Sequence, residues 1–427
     1  MERLRGFRDI YPEEMRGREK LFLSAESVSK SYGYEKIDFP SLESMELYRL
    51  KSGEELVGQT FSFVDRGGRE VTLVPEATPS VVRMLVSRKD LSWPVRWYSF
   101  QKFWRYEEPQ SGRLREFYQF NADLFGPDNH AVDAENISLA ASILDSYGLS
   151  GRYEMRINSR ELMNLLIAKT GTSNLPGALA VIDRLEKTDR ETLLKDLGES
   201  GIGKNEASGL LDLITTPASD DNLEKKIISV PGVEPILKRV KKTISLVRAT
   251  TQSDVVLNLS TVRGLSYYTG IVFEAFGKEE KTRSILGGGR YNEMAALLSG
   301  SPIPAIGFGM GDVVVEGLMR KLGIWNEART SDRVYICTSS EDYMEYAFSV
   351  SSLFRKSGID AEVDLSGRGL SAQMKAASRS GSRVAVIIGE REYGSRKVTL
   401  RNMVTGEQQE IDVSNAAAEA KKGILKR

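Results

Sequence analysis

Two arginines stand on either side of the loop between two predicted strands. Arg105 lies near the end of the first strand, residues 96–106, and Arg113 lies in the loop that leads to the second, residues 117–125. The planar guanidinium fork of arginine binds phosphate oxygens in pairs and stays charged. Because both side chains could converge above the sheet, they predict a binding site for an anion. An isolated arginine is usually a solvated surface residue, so the prediction depends on further polar groups that meet these two.

Polar and apolar residues alternate along the second of these strands. Successive side chains of a strand point to opposite faces of its sheet. One face therefore carries Gln119, Asn121 and Asp123, and the other carries Tyr118, Phe120, Ala122 and Leu124. The polar face either lies against solvent or forms the floor of a site.

Three glycine-rich strings follow later in the chain. They are Gly198 to Lys204, Arg263-Gly264-Leu265-Ser266-Tyr267-Tyr268-Thr269-Gly270, and Gly287-Gly288-Gly289-Arg290-Tyr291. The first fits the spacing of a phosphate-binding loop, but Asn205 stands where such a loop has serine or threonine, and the residues before it are predicted to be helical. A turn between two helices is the better interpretation. The glycines of the third string permit close approach of the backbone to a ligand, although a tight turn would also explain them.

The composition limits the classes of function. The chain has 427 residues with one histidine, His130, and one cysteine, Cys337. These counts exclude a disulfide framework and a histidine- or cysteine-rich metal site, and they disfavour Ser-His-Asp catalysis. The balance of 59 basic and 59 acidic residues argues against nucleic-acid binding over the whole surface. No apolar stretch reaches about 18 residues and the N-terminus is charged, so a cytoplasmic protein without a membrane segment is expected.

Local patterns predict how the chain is organised into two or three domains. The elements predicted for the first part are a helix over 15–32, a hairpin of strands 60–65 and 70–74, and a helix with Thr78 as N-cap and Pro79 as first residue that ends near 88. Leucines at helical spacing predict a helical insert over about 158–250, after which strands return at 255–259, 266–275 and 305–308. From residue 332, strands and helices alternate, which predicts a small α/β domain behind a linker at 326–331.

Taken together, these segments resemble the class II aminoacyl-tRNA synthetases and, within them, the histidyl-tRNA synthetase family, over nearly the whole chain. The segments that carry the resemblance are Arg5 to Glu14, Gly33 to Pro40 (motif 1), Phe103 to Glu107 with residues 117–125 (motif 2), Arg263 to Gly270, and Gly287 to Tyr291. The resemblance implies an α/β and α+β multidomain fold. Its parts are an antiparallel-sheet catalytic core at 1–325, interrupted by the helical insertion, and an α/β anticodon-binding domain at 332–427. Motif 1 is the family's dimer-interface element, so a homodimer is also implied.

The resemblance implies an activity and an ATP site. The family joins L-histidine to ATP, releases pyrophosphate, and passes the histidyl group to the 3′ end of tRNA-His. By resemblance, Arg105 contacts the α-phosphate, Arg113 contacts the outer phosphates, and Glu107 belongs to the same ATP site. Arg263 would hold the histidine carboxylate near the α-phosphate and stabilise the transition state, which makes Arg263 and Arg105 the expected catalytic residues. Mg²⁺ is expected on the outer phosphates, with no metal site formed by the protein alone.

The amino-acid pocket and the tRNA contacts are implied in the same way. By resemblance, Glu76, Thr78 and Gln119 bind the α-ammonium, Asp123 and Tyr268 bond the two imidazole nitrogens, Arg263 holds the carboxylate, and Tyr267 and Tyr291 line the pocket. The candidate tRNA contacts are Gln110 in the motif 2 loop and Lys238, Arg239, Lys241 and Lys242 in the insert. A basic cluster of this kind is usually a solvated helix face, but beside a synthetase core phosphate contact is the better interpretation. The C-terminal tail, with Lys421, Lys422, Lys426 and Arg427, is basic as well.

Three positions depart from the family pattern. Asp123 stands where glutamate is expected, so the imidazole must sit deeper or be reached through water. Ser266 replaces an expected aspartate. Val314 stands where motif 3 has an arginine that clamps ATP, so either another cation substitutes or ATP binds more weakly.

Two other functions remain open at this stage. The first is a non-catalytic, histidine-sensing regulatory subunit of ATP phosphoribosyltransferase, which is built on the same core; Val314 points toward it. Such subunits typically lack the anticodon domain and erode the catalytic residues, whereas this chain keeps Arg263 and the C-terminal domain. The second is an unrelated nucleic-acid-binding scaffold, which would explain the basic clusters but not Glu76, Gln119 and Tyr268.

Overall fold

The computed structural model describes residues 2–49, 57–110, 112–217, 223–263, 267–279, 283–327 and 331–425. They form two compact units, Met1–Asn326 and Glu327–Arg427. Ser266, Lys426 and Arg427 lie outside the described residues. Within the described ranges, no helix combines the length and the apolar character needed to cross a membrane.

The first unit opens with a long helix and a small sheet. Its first elements are helix α1 (Pro12–Ser31), strands β1 (Glu35–Lys36) and β2 (Leu42–Ser44), helix α2 (Met45–Arg49), strands β3 (Phe61–Val64) and β4 (Glu70–Leu73), and helix α3 (Thr78–Ser87). Helix α1 and the antiparallel β3–β4 hairpin confirm the sequence predictions. The predicted cap of α3 is wrong by one residue. The N-cap is Ala77 and Thr78 is already helical, so Pro79 is the second residue of the helix. The helix tolerates a proline there because the amides of the first turn have no partner within the helix.

Two long antiparallel strands form the centre of the unit. They are β5 (Val95–Trp104) and β6 (Glu116–Phe125), and helix α4 (His130–Leu144) follows them. The predicted alternation along β6 is confirmed. Phe120, Ala122 and Leu124 are buried in one core cluster with residues of α1 and α4. The side chains between them therefore lie on the opposite face of the sheet.

The helical insert is confirmed as predicted. Strand β7 (Tyr153–Ser159) leads into helices α5 (Arg160–Ala168), α6 (Leu175–Ile182), α7 (Arg190–Glu199), α8 (Lys204–Ile214), α9 (Leu223–Ile228) and α10 (Val233–Arg248), and strand β8 (Asp254–Leu257) follows. The insert has its own aliphatic cluster. The glycine-rich string that ends at Lys204 is the turn between α7 and α8, as expected. Strand β7 was not predicted from the sequence; it pairs in parallel with β8.

The remaining elements complete the main sheet. They are β9 (Ile271–Gly277), β10 (Leu286–Arg290), helix α11 (Ala296–Ser299), β11 (Ala305–Gly311) and helix α12 (Asp312–Lys321). The eight strands are ordered β1-β5-β6-β11-β10-β9-β7-β8. The tight-turn interpretation of Gly287 to Gly289 is wrong, because these residues lie inside β10. A Cβ at Gly288 would lie 2.2 Å from the carbonyl oxygen of Gly307, so packing between strands requires glycine there.

The second unit is a small α/β domain, as predicted. Its elements are β12 (Ser331–Thr338), a 3₁₀ turn (Glu341–Tyr343), α13 (Met344–Lys356), β13 (Ala361–Val363), α14 (Leu370–Arg379), β14 (Ser382–Ile388), α15 (Glu390–Ser395), β15 (Lys397–Asn402), β16 (Gln408–Asp412) and α16 (Val413–Leu425). The sheet order is β13-β12-β14-β15-β16, with parallel pairing around β12 and antiparallel pairing beyond β14. Strand β16 and helix α16 were not predicted. The basic tail begins on α16, where Lys422 pairs with Glu419.

Candidate active site

A cavity of about 1300 Å³ lies over the polar face of the main sheet. Among its lining residues are Arg105, Glu107 and Arg113. Nη1 of Arg113 lies 2.8 Å from the Glu107 carboxylate, and Nη1 of Arg105 lies 3.9 Å from it. Two guanidinium groups therefore share one carboxylate. The excess positive charge makes this wall suitable for an anion.

The fold holds these arginines at the strand ends. The backbone amide of Arg105 donates to the carbonyl of Arg115 at 2.9 Å, just beyond β5. Its Nε donates to the carbonyl of Pro75 at 3.0 Å, and its guanidinium lies 5.5 Å from the ring centre of Phe117. Arg113 and Gln110 exchange backbone hydrogen bonds across the tip of the loop. Arg105 is thus fixed, whereas the half-exposed Arg113 is anchored through its backbone.

Arg263 lies in the same cavity in a strained backbone conformation. Its φ is +56°, which residues with a side chain adopt rarely and at a cost of about 1 kcal/mol. Nη1 of Arg263 pairs with Oε1 of Glu274 at 3.1 Å. Gly287 on β10 provides the space, since a Cβ there would lie 1.3 Å from that nitrogen. Strain that the surrounding packing enforces is typical of functional positions.

A closed cluster of tyrosines and carboxylates adjoins Arg263. The Arg263 guanidinium lies 5.6 Å from the ring centre of Tyr268, whose ring centre is 4.9 Å from that of Tyr267. The hydroxyl of Tyr267 donates to Oε2 of the buried Glu76 at 3.3 Å and also hydrogen-bonds Thr78. Arg263 therefore borders both the open cavity and the closed cluster.

Asp123 forms the inner end of the cluster. Its carboxylate accepts a hydrogen bond of 2.5 Å from the hydroxyl of Tyr291, and both side chains are buried. Burial raises the pKa of Asp123 to about 7, and the hydrogen bond from Tyr291 opposes this shift. Burial also raises the pKa of Tyr291. A neutral tyrosine thus donates to a carboxyl group that titrates near neutral pH.

Glycines on β10 and β11 make room for these side chains. A Cβ at Gly307 would lie 2.0 Å from Oδ1 of Asp123, and one at Gly309 would lie 2.4 Å from Nε2 of Gln119. On β10, a Cβ at Gly289 would lie 2.8 Å from the ring of Tyr268. Glycine inside a strand often marks such a close approach. At Gly307 and Gly309 the nearest atoms belong to predicted site residues, whereas at Gly289 the carbonyl oxygen of Ile271 is nearer than Tyr268, at 2.6 Å.

Three further residues singled out from the sequence, Gln119, Gln110 and Val314, lie at different points of the site. Nε2 of Gln119 donates to Oδ1 of Asn121 at 2.5 Å on the polar face. Gln110 is exposed at the tip of the motif 2 loop. Val314 lines the cavity from α12.

Sequence reasoning missed several residues of the site. Glu274 offered a signal, since it is the only charged residue of the apolar strand β9. Asn121 was placed on the polar face but given no role. Arg283, which precedes β10 and lines the cavity, gave no signal in the sequence.

A buried ion-pair network changes the interpretation of the basic helix α10. Nε of Arg290 lies 2.5 Å from Oδ1 of Asp133, and Nη2 of Arg239 lies 2.8 Å from Oδ2 of the same carboxylate. Arg239 also pairs with Asp128. As a correction, the guanidinium of Arg239 connects the insert to the core and is not a freely available cation.

The lysines of α10 differ among themselves. Lys241 pairs with Glu224 at 2.9 Å. Lys238 and Lys242 are exposed on the outer face of the helix. They are the two members of the predicted tRNA-contact cluster that best fit an outside partner.

A mixed sheet, antiparallel except for the β1–β5 and β7–β8 pairs, carries this arginine-bearing strand–loop–strand unit. Together with a helical insert and a separate five-stranded α/β unit, it defines a class II aminoacyl-tRNA synthetase. The family model described as histidyl-tRNA synthetase matches residues 6–312, and the model described as anticodon binding domain matches residues 333–423. The chain belongs to the histidyl-tRNA synthetase family.

Individual relatives agree with the family match. The chain is 47% identical to a histidine–tRNA ligase of Thermoplasma volcanium, over 97% of each chain. It is 45% identical to a histidine–tRNA ligase of Picrophilus torridus, over 97% of this chain and 98% of the relative. The crystal structure of histidyl-tRNA synthetase from Nostoc sp. PCC 7120 matches with a TM-score of 0.82 at 23% identity, covering 99% of both chains. The structural match shows the fold, and the sequence matches show the family.

Proposed function

We propose that this chain activates L-histidine with ATP and transfers the histidyl group to the 3′ end of tRNA-His. The observation that carries the proposal is the position of Arg263, which borders both the arginine-lined cavity and the closed cluster. A side chain that contacts an amino-acid carboxylate and a phosphate at the same time must lie between the amino-acid pocket and the nucleotide site, as Arg263 does. The family matches and the named ligases support the same function.

The cavity is the proposed ATP site. The histidine carboxylate attacks the α-phosphorus, the bond to the β-phosphate breaks, and pyrophosphate leaves with the bonding electrons. Arg105, fixed beside β5, binds the α-phosphate, while Arg113 binds the outer phosphates and releases its partner Glu107 in doing so. Arg263 binds the carboxylate and stabilises the charge of the transition state, an effect of fixed cations that is usually large in a dry site.

The closed cluster is the proposed amino-acid pocket. Glu76, Thr78 and Gln119 bind the α-ammonium, because one carboxylate and two neutral acceptors satisfy three N–H donors. Tyr267 forms the wall between this ammonium site and the carboxylate site at Arg263.

The inner end of the pocket binds the imidazole. Asp123 and Tyr268 bond its two nitrogens, and Tyr291 orients Asp123. The free imidazole titrates near pH 6.5, close to the raised pKa of Asp123, so a proton can be shared between them. An apolar side chain of similar size would leave these buried groups unsatisfied and would be rejected.

Mg²⁺ is expected to enter with ATP. Among the described residues, no group of three potential ligands could hold a metal ion. Glu107 and Glu274 line the cavity, and Mg²⁺ in such sites is commonly held by one or two carboxylates together with substrate phosphates. The ion would neutralise charge on the outer phosphates.

The tRNA is proposed to contact two parts of the chain. Gln110 at the loop tip reads the acceptor end, and Lys238 and Lys242 contact backbone phosphates. The second unit binds the anticodon, as its family match suggests.

A homodimer and a cytoplasmic location complete the proposal. Apolar side chains of the N-terminal segment and of β3 are largely exposed, with Leu4 at 72%, Tyr11 at 66% and Val64 at 67%. Such side chains fit an interface with a second copy of the chain. A cytoplasmic location follows from the proposed role in protein synthesis.

The regulatory-subunit alternative is not supported, because the named relatives are ligases and the anticodon-binding match is present. The test of the proposed function is aminoacylation of tRNA-His with labelled histidine, together with amino-acid-dependent exchange of pyrophosphate into ATP across all twenty amino acids. Exchange with histidine alone supports the proposal. Histidine binding without any exchange would support a regulator.

A further inference from the structure

Arg283 lies beside the valine that departs from the family pattern. Gly112, in the loop between β5 and β6, has φ +76°, and a Cβ there would lie 3.2 Å from Cδ of Arg283 and 3.5 Å from Cγ2 of Val314. The two side chains therefore meet at the same point of the cavity wall. Arg283 reaches this point from the segment before β10, and Val314 reaches it from the first turn of α12.

The charge around Arg283 is not balanced by the protein. Within the described ranges, its guanidinium makes no ion pair and no hydrogen bond. Burial lowers its pKa, and the nearby charge of Arg113 lowers it further, while Glu107 acts in the opposite direction. Glu107 is already paired with Arg113. Arg283 is thus a partly buried cation facing a second cation.

Two other cations of the cavity wall, Arg156 and Lys278, differ from Arg283 in this respect. Arg156 pairs with Glu154 and Glu186, and Lys278 pairs with Asp254. Two guanidinium groups that face each other are stabilised by an anion with several oxygen atoms, because each fork can bind its own pair of oxygens. A di- or triphosphate has that chemistry.

We propose that Arg283 binds the outer phosphates of ATP, and the pyrophosphate product, together with Arg113. Arg283, in the segment before β10, then provides the positive charge that the family's motif 3 arginine would provide from the position of Val314 on α12. This inference rests on the proposed function for the identity of the anion, but the affinity for a polyphosphate can be measured without catalysis.

The test compares Arg283→Gln with the wild-type chain in two measurements. The first is the binding of inorganic pyrophosphate, followed by calorimetry. The second is the KM for ATP and for histidine in the exchange reaction. A charge-assisted contact of this kind is worth about 1.5–3 kcal/mol, so the affinity for pyrophosphate should fall and the KM for ATP should rise roughly tenfold to hundredfold, while the KM for histidine changes less than about twofold. Arg152→Gln, at an exposed position outside the cavity lining, is the matched control and should leave both values unchanged.

A second variant tests the positional argument. Arg283→Gln combined with Val314→Arg returns a guanidinium to the same point from α12, and it should recover most of the lost affinity for pyrophosphate. Unchanged pyrophosphate affinity and an unchanged KM for ATP in Arg283→Gln would overturn the inference. If the wild-type chain shows no exchange but binds pyrophosphate more tightly than the variant, the proposed function fails and the role of Arg283 in binding polyphosphate stands.

Discussion

The hydroxyl of Tyr291, the residue that follows β10, donates to the carboxylate of Asp123 on β6, a strand that is not a neighbour of β10 in the main sheet. The strand between them, β11, contributes Gly307, which has no side chain at this point. Among the residues that the structure describes, this buried carboxylate has a single hydrogen-bond donor, so its charge is costly. Residues on β6 and β11 and at the end of β10 thus keep one carboxyl group buried. Burial prepares this group to bind a ligand, but it lowers the stability of the ligand-free protein.

Because a charged Asp123 is unfavourable in the folded protein, we expect the stability of the ligand-free protein to depend on pH. The pKa of Asp123 is about 7 in the folded chain and about 3.9 in the unfolded chain. Because the folded pKa is raised, the full stability is present below about pH 4 and is lost as the pH rises toward 7. The side chain of Asp123→Asn does not titrate, so its free energy of unfolding relative to wild type should increase by about 2.5 kcal/mol between pH 5 and pH 8. Urea denaturation at the two pH values measures this difference; an advantage that is equal at both would contradict the assignment.

A side chain at position 307 should weaken histidine binding, because Gly307 packs directly against Asp123. A Cβ there would lie 2.0 Å from Oδ1 of Asp123 and 3.1 Å from the carbonyl oxygen of Ala122. Overpacking a core typically costs about 1–3 kcal/mol, and here the displaced group is the proposed imidazole ligand. Gly307→Ala should therefore raise the dissociation constant for histidine more than about tenfold in calorimetry. Gly317→Ala is the control, since a Cβ at that exposed helical position meets no atom within 4 Å; equal effects of the two variants would refute the argument.

The lysines and the arginine of helix α10 should have different roles: Lys238 and Lys242 in tRNA binding, and Arg239 in stability. Lys238→Ala with Lys242→Ala should weaken tRNA binding and reduce the slope of log affinity against log salt, because two phosphate contacts are lost. Thermal stability should stay within about 0.5 kcal/mol. The readout is filter binding of tRNA at several salt concentrations. Normal binding and an unchanged salt slope would exclude this helix face from the tRNA contact.

Replacing Arg239, unlike replacing the two lysines, should lower the stability of the protein. Arg239→Ala removes one of two cations from the fully buried Asp133. Leaving a buried charge short of a partner typically costs about 3–5 kcal/mol, although Arg290 remains as a partner and should limit the loss. The melting temperature should fall clearly below that of the lysine variants. A melting temperature equal to theirs would show that Arg239 is a surface cation after all.

The sequence predicted those parts of the fold that depend on local patterns. The period-two alternation along β6 placed Gln119 and Asp123 on one face because a strand permits no other arrangement. The leucine spacing of the insert and the change of pattern at residue 332 are local signals of the same kind. Strand β7 was missed because it lies directly before the helical insert.

The parts of the site that could not be predicted depend on distant strands. The pairing of Asp133 on α4 with Arg290, or of Arg263 with Glu274, depends on how distant segments of the chain pack together, which no local pattern contains. The glycines of β10 were visible in the sequence, but their neighbours were not. The position of Arg283 beside Val314 became apparent only from the loop conformation at Gly112.

Arg263 borders both the cavity and the closed cluster, and we propose that it carries the activation step. The most direct measurement is histidine-dependent exchange of pyrophosphate into ATP by the wild-type chain and by Arg263→Ala, with histidine binding measured on both proteins by calorimetry. We expect exchange by the wild type, and a loss of two or more orders of magnitude, about 3–4 kcal/mol, in the variant. The variant should still bind histidine. Exchange by Arg263→Ala at the wild-type rate, or no exchange by a folded wild type that binds histidine, would contradict this proposal.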